Sequence, residues 1–257
     1  MCNTLVASNA SSWRVAQFSA QFETAHLSGN CQLLTPSAGL HGLHLEGAPL
    51  THANLLGLRL PAATALEAYA RLGDLVAIYS PTEARPFRSQ AYWRLASHAV
   101  RVQEHEALSA IELVASQQTD LLDSRPDLSV GSELASVTTF RLTDVATAAF
   151  DEIDLARKPV FSRASGIACF LFRLPGNAVS YVEIVHPLDF ETTQLDFVNK
   201  DGTALVRTTH HLFAQRLEKG VILRARVLGL FVNRCDEMRS AAAHYARFAA
   251  SDPPLTT

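Results

Sequence analysis

Apolar and polar residues alternate along most of the chain with a period of two, the spacing of half-buried strands. The clearest case is the segment 87–95, where one face of the predicted strand is polar and the other apolar. The polar face carries Arg88, Gln90, Tyr92 and Arg94, and the apolar face carries Phe87, Ala91, Trp93 and Leu95. We expect the apolar set, including Trp93, to lie in the core.

Three consecutive hairpins are predicted in the second half of the chain, because turn-forming residues separate alternating segments there. They join 166–174 to 178–185, 192–198 to 203–208, and 212–217 to 221–232. Consecutive hairpins indicate an antiparallel sheet.

Two segments leave alternatives open. Residues 62–72 have good helix propensity with Gly73 as a C-cap, yet a turn at 72–74 leading into a strand at 75–79 favours a hairpin. Residues 138–160 have the least clear pattern, and we expect one strand and an irregular connection there. Further strands are predicted at 98–104 and 108–117.

The pattern changes to a helical period near the end of the chain. Met238, Ala242, Tyr245 and Phe248 share one helical face, which predicts an α-helix over about 236–250. Asp236 or Asn233 could cap it. We expect this helix to cover the open end or edge of the sheet.

Roughly fourteen predicted strands and one helix indicate an all-β, mainly antiparallel fold, namely a large two-layer β-sandwich formed by 1–257 as one domain. In strand count and length the pattern resembles the supersandwich of galactose-mutarotase-like proteins. No motif of that family is found in the chain, so the resemblance implies a fold and assigns no catalytic residue.

Composition narrows the possible partners and location. The net charge of -3, without a run of Lys or Arg, argues against nucleic acid as a partner. No stretch of eighteen apolar residues and no signal peptide is apparent, so we expect no membrane segment and a cytoplasmic location. The four cysteines, Cys2, Cys31, Cys169 and Cys235, form no CxxC pair, which is typical of a reducing compartment.

The polar face of the 87–95 strand is the first candidate site. Sugar sites combine an aromatic platform with forked donors that reach paired hydroxyls, and Arg88, Gln90, Tyr92 and Arg94 supply both. We therefore predict ligand-binding roles for these four residues. The alternative is an ordinary solvated face of an outer sheet.

Glu183 and His186 are the candidate catalytic residues. A carboxylate and an imidazole could remove and supply protons at the anomeric carbon of a sugar. In a regular strand the two side chains point to opposite faces, unless the chain bends at Pro187. Chance proximity is the alternative.

A further group of charged residues lies in the last quarter of the chain. Two neighbouring predicted strands carry His210 and His211 on one and Arg224 and Arg226 on the other. These residues could form a charge-paired face or a site for an anion. The spacing of the remaining histidines and aspartates predicts no metal site, and no cofactor is expected. The chain has no GxSxG, HExxH, GxxxxGK[ST] or GxGxxG motif, which disfavours the common hydrolase, zinc-protease and nucleotide-binding classes.

Two functions remain. The first is a carbohydrate-binding or sugar-modifying protein, similar to a mutarotase or epimerase, in which some subset of Arg88, Tyr92, Glu183 and His186 shares one groove. The second is a non-enzymatic protein-interaction or assembly module, with an exposed apolar patch and contacts between copies as a homo-oligomer. Whether the protein is an enzyme stays open, because one fold hosts many functions.

Overall fold

A computed structural model of the chain describes residues 12–60, 65–71, 73–95, 101–102, 105–176, 178–200, 202–213 and 215–252. Among the predicted features, Cys2, residues 62–64 and much of the strand at 98–104 lie outside the described residues.

Within these residues the chain is built almost entirely of strands. In chain order the strands are β1 (Ser12–Ala16), β2 (Ser19–Glu23), β3 (Leu27–Gln32), β4 (Leu40–Leu45), β5 (Ala48–Pro49), β6 (Ala53–Arg59), β7 (Ala65–Arg71), β8 (Asp74–Tyr79), β9 (Phe87–Leu95), β10 (Arg101–Val102), β11 (His105–Thr119), β12 (Leu128–Leu134), β13 (Thr138–Asp144), β14 (Ala149–Glu152), β15 (Val160–Ser162), β16 (Cys169–Arg173), β17 (Val179–Val185), β18 (Phe190–Lys200), β19 (Thr203–Leu212) and β20 (Ile222–Asn233). Short 3-10 turns lie at Pro36–Ala38, Leu155–Arg157, Arg163–Ser165 and Arg234–Asp236, and the helix α1 spans Glu237–Ala249.

The strands form two antiparallel sheets of ten strands each. The first sheet has the order β1-β2-β3-β4-β6-β12-β19-β18-β15, with β5 beside β4. The second has the order β14-β13-β16-β17-β20-β11-β9-β8-β7, with β10 beside β11. The predicted all-β, antiparallel two-layer sandwich is therefore confirmed.

The main core lies between the two sheets. It takes residues from nearly the whole chain, from Trp13 on β1 to Phe231 on β20. A second, smaller core packs the outward apolar side chains of the second sheet against α1, including Leu171, Ile184 and Tyr245. Alternation explains both, because each central strand of the second sheet has one side facing the first sheet and one facing the helix.

Several sequence predictions are borne out locally, among them the hairpins of β16 with β17 and of β18 with β19. β7 and β8 form the hairpin favoured for residues 62–80. β9 alternates as expected, with Trp93 fully buried. The helix forms within one residue of its predicted bounds at each end.

Other predictions were wrong. Residues 138–160 hold a hairpin of β13 and β14 rather than a single strand. The third predicted hairpin does not form among the described residues: β19 pairs in the first sheet and β20 in the second, so the segment between them crosses from sheet to sheet. A cross-sheet connection and a hairpin turn need the same turn residues, and local sequence does not separate them.

The helix also lies in a different place from the one expected. It packs across the outward face of β11, β16, β17 and β20 near the middle of the second sheet, rather than over an edge or open end. Its apolar side covers apolar residues that would otherwise face water. Neither Asp236 nor Asn233 provides a side-chain cap. Among the described residues, no helix has the length and apolar character needed to cross a bilayer.

Candidate functional site

The part of the outer side of the second sheet that α1 leaves uncovered carries aligned polar and aromatic side chains. Cross-strand pairing places Tyr69, Val76, Tyr92 and Val114 in one line and Arg71, Asp74, Arg94 and Glu112 in the next. Gln90, Ser116 and Arg224 form a third line. We call this surface the tyrosine–arginine face and define it by Tyr69, Arg71, Asp74, Gln90, Tyr92, Arg94, Glu112 and Arg224.

Arg94 is held at the centre of this face by carboxylates on both sides. Its Nη2 lies 3.1 Å from Oδ2 of Asp74, and its Nε donates to Oδ1 of Asp74 at 3.2 Å. Its Nη1 lies 4.0 Å from Oε2 of Glu112. Such a two-point contact fixes the guanidinium plane, so its remaining N–H groups have a defined direction.

The tyrosines of the face lie two strands apart in one line. Tyr92 donates from its hydroxyl to Oε1 of Gln90 at 3.2 Å. Burial and the neighbouring Tyr69 raise the pKa of Tyr92 despite Arg224 and Arg71, so the phenol stays protonated at neutral pH. Tyr69 is 37% exposed, which leaves its ring open to a ligand.

Glu112 is a partly accessible carboxyl group on this face with a shifted pKa. Burial raises the pKa of Glu112, although Arg94 and Arg226 oppose the change. Its side chain is still 21% accessible, so it can be reached from outside. A carboxyl whose pKa moves toward neutrality is suited to accept and return a proton.

A cavity of about 410 Å³ opens at the end of this face, where β9, β11 and β20 begin or end. Its lining includes Arg88, Gln118, Asp120 and Ile222. Among the described residues, the buried Nε of Arg88 has no hydrogen-bond partner. Arg88 lies on the same outward side as Gln90, Tyr92 and Arg94, because the side chains of β9 alternate between the two faces of the sheet.

Glu183 lies elsewhere, in the interior between the two sheets. Its carboxylate accepts hydrogen bonds from Ser132, from Tyr181 at 2.8 Å and from Thr208 at 2.7 Å. The Nε2 atom of His210 lies 2.5 Å away. We call Ser132, Tyr181, Glu183, Thr208 and His210 the buried polar cluster.

The buried polar cluster links the two sheets through hydrogen bonds to the charged carboxylate of Glu183. Tyr181 and Glu183 come from β17 in the second sheet, and the others from β12 and β19 in the first. Burial acts to raise the pKa of Glu183, but the His210 imidazole and the hydrogen bonds outweigh it and lower the pKa below its usual value. The carboxylate is thus ionised, fully donor-satisfied and inaccessible to solvent.

A backbone irregularity supports the cluster. Leu56 on β6 has a left-handed conformation with φ of 53°, which is rare for a bulky residue. Its N–H donates to the Ser132 hydroxyl at 3.0 Å, and its carbonyl accepts from Nε1 of Trp93 at 3.2 Å. Side chains of both sheets therefore satisfy the backbone at this irregular position.

His186 lies on the opposite side of the second sheet from Glu183. Its ring contacts Phe248 of α1 edge-on at 5.5 Å, and its Nδ1 lies 3.8 Å from Oδ2 of Asp189. Burial and Arg226 lower the pKa of His186, so the imidazole is neutral at neutral pH. Burial raises the pKa of Asp189 to about 6.

The structure therefore does not bring the two candidate catalytic residues together. Glu183 points into the sandwich, whereas His186 lies beneath the end of α1, as regular strand alternation dictates. A joint catalytic role would require the two groups to reach one substrate, and Glu183 is fully buried.

The predicted charge-paired face of His210, His211, Arg224 and Arg226 does not form either. His210 belongs to the first sheet and the two arginines to the second. The guanidinium of Arg226 instead donates to Ser251 and Asp252 after α1. Within the described part of the chain, no three His, Cys, Asp or Glu side chains are grouped as a metal site would require.

The sequence did not point to Tyr69, Asp74 or Glu112 as site residues. Tyr69 was hidden by the ambiguity of residues 62–72, although Glu67, Tyr69 and Arg71 repeat with period two. Asp74 and Glu112 become relevant only through the pairing of β8 and β11 with β9, which no local pattern reveals.

No family model matches the chain, and no curated protein matches it in sequence. Solved structures do resemble it. The Slr1438 protein from Synechocystis sp. PCC 6803 is similar with a TM-score of 0.54 and 10% identity, over 87% of this chain and 96% of that one. The putative mutarotase YeaD from Salmonella typhimurium has a TM-score of 0.54 and 9% identity, over 88% of this chain and 94% of that one. The likeness shows a galactose-mutarotase-like sandwich fold.

Proposed function

We propose that the protein binds a carbohydrate on the tyrosine–arginine face. The observation that supports this most is the placement of two tyrosines beside a carboxylate-anchored arginine on one uncovered sheet surface. The sandwich fold shared with a putative mutarotase supports the same proposal.

The face offers three kinds of contact that suit a sugar ring. Tyr69 and Tyr92 present flat apolar rings for the C–H faces of a pyranose. Arg94, with its plane fixed by Asp74, donates to paired hydroxyls. Gln90 supplies hydrogen-bonding groups, and Glu112 can exchange a proton.

Within this proposal, sugar modification depends on Glu112 rather than on Glu183. Opening and closing a sugar ring at its anomeric carbon needs a group that takes a proton and a group that gives one. Glu112 is accessible and has a raised pKa, and the protonated Tyr92 lies on the neighbouring strand. We therefore propose Glu112 as the acid–base group of a mutarotase-like reaction.

Binding is tested by titration calorimetry with a panel of neutral monosaccharides and sugar phosphates. The double variant Tyr69→Ala/Tyr92→Ala removes both rings, and we expect the affinity to fall by at least about tenfold. Phe197→Ala is the matched control, because Phe197 is also an exposed aromatic strand residue but lies on the first sheet. No binding to the wild-type protein across the panel would overturn the function. Equal affinity in the double variant would overturn the site.

Catalysis is tested separately by following the mutarotation of a freshly dissolved monosaccharide in a polarimeter. We expect Glu112→Gln to slow any acceleration by about a hundredfold or more while sugar binding remains, because the substitution keeps the shape and removes the proton acceptor. A variant as fast as the wild type would contradict the role of Glu112. If the wild-type protein does not accelerate mutarotation, the catalytic part of the proposal is wrong and only sugar binding remains.

A further inference from the structure

We infer that the protein has a second binding site, a groove on the outer side of the first sheet that takes a neutral polyhydroxylated molecule of monosaccharide size. The inference stands on this groove alone and does not depend on the tyrosine–arginine face. The two surfaces belong to different sheets and face away from each other.

The groove lies across β1–β4, on the side opposite the core. It has a volume of about 310 Å³, within the range of small-ligand sites. Its polar lining is formed by Arg14, Gln21, Glu23, Ser28, Asn30 and His44. The alternate residues of the same strands, such as Trp13, Phe22 and Leu43, are buried in the core.

Gly42 shapes the outer surface of the groove. It has φ of +59°, and a Cβ there would lie 3.0 Å from the amide nitrogen of Asn30. The missing side chain at Gly42 therefore leaves the Asn30 amide unobstructed. Gly29 lies on the core side of β3, because a Cβ there would meet the core residues Leu43 at 2.6 Å and Phe22 at 2.9 Å.

Most polar side chains around the groove are uncommitted, although Nδ1 of His44 lies 3.2 Å from the Gly42 carbonyl oxygen. Among the described residues, Arg14, Gln21, Glu23 and Asn30 make no side-chain hydrogen bond or ion pair. A concave surface with unengaged amides, a guanidinium and a carboxylate can offer donors and acceptors to several hydroxyls at once.

The charges of the groove residues indicate which class of ligand it binds. Arg14 and Glu23 carry opposite charges, so the groove has no excess of either sign to favour a phosphate or a polyamine. Phe22 is only 3% exposed, so its ring is not available for stacking. The contacts are therefore hydrogen bonds to a neutral polyol, and we expect millimolar affinity.

The test is an amide chemical-shift titration of the full chain with glucose and with galactose to about 50 mM, and with inorganic phosphate as the charged comparison. We expect either sugar to shift amides of residues 12–45, and phosphate to leave them unchanged. The double variant Gln21→Ala/Asn30→Ala should weaken the shifts by about tenfold. Arg14→Gln provides a second variant, and circular dichroism checks the fold of both.

Tyr92→Ala separates this site from the other one, because it removes a ring from the tyrosine–arginine face and should not alter shifts in 12–45. Absence of sugar-dependent shifts there, or shifts that persist unchanged in the groove variants, would overturn the site. Shifts caused by phosphate but not by sugars would overturn the class of ligand. Loss of binding at the other face alone would leave this inference intact.

Discussion

Glu183 shows how a single charged residue can be kept inside a sandwich. Each carboxylate oxygen accepts two hydrogen bonds: Oε2 from Ser132 and Tyr181, and Oε1 from Thr208 and His210. Burying a charge is costly unless every polar atom is satisfied. The cluster meets that condition, so its stability depends on each member being present.

We predict that Glu183→Gln destabilises the protein by about 3 kcal/mol or more, because an amide places N–H groups against donors that have no other acceptor. Urea unfolding at neutral pH measures the change. Glu218→Gln, at an exposed position, is the control and should stay within about 0.5 kcal/mol of the wild type. A Glu183→Gln variant as stable as this control would show that the cluster carries no net stabilisation.

Asp189 gives a pH dependence of the opposite sign to that of an ordinary paired carboxylate. Burial raises its pKa to about 6 in the folded protein, whereas an unfolded aspartate has a pKa of about 3.9. Its contribution to stability is complete below the unfolded value and is lost as the pH rises through about 6.

We therefore expect Asp189→Asn to gain about 2 kcal/mol relative to the wild type between pH 4 and 7, since asparagine cannot ionise and still accepts from the Arg226 N–H. Urea unfolding at several pH values measures this difference. Asp151→Asn, an exposed carboxyl, should run parallel to the wild type. A constant offset for Asp189→Asn across this range would contradict the expectation.

Among the elements, those defined by local pattern were predictable and those defined by pairing were not. β9 was predicted residue by residue, because one side of it is buried and the other is not. β17 is buried on both sides, so its sequence carries no alternation to show that Glu183 faces inward.

The candidate site divides in the same way. Arg88, Gln90, Tyr92 and Arg94 were found because they share one strand. Tyr69, Asp74 and Glu112 come from three other strands, and only the strand order β11-β9-β8-β7 brings them together. The position of α1 was missed for the same reason, because an amphipathic pattern shows that a helix covers something but not what it covers.

The whole molecule is expected to unfold as one unit. The main core takes side chains from both sheets, and the buried polar cluster and the Trp93–Leu56 hydrogen bond also join them. We predict a single calorimetric transition whose van't Hoff and calorimetric enthalpies agree. Two separable transitions, or a stable proteolytic fragment holding one sheet, would show that 1–257 is not a single domain.

The strand order of the first sheet also bears on how the chain acquires its structure during synthesis. β6 pairs with β12, and β12 with β19, so the N-terminal strands gain their central neighbours only after most of the chain has left the ribosome. Until then β6 has an unpaired edge on the side that β12 later occupies. Nascent chains of this protein are therefore open to association for most of translation, and slow elongation prolongs that interval.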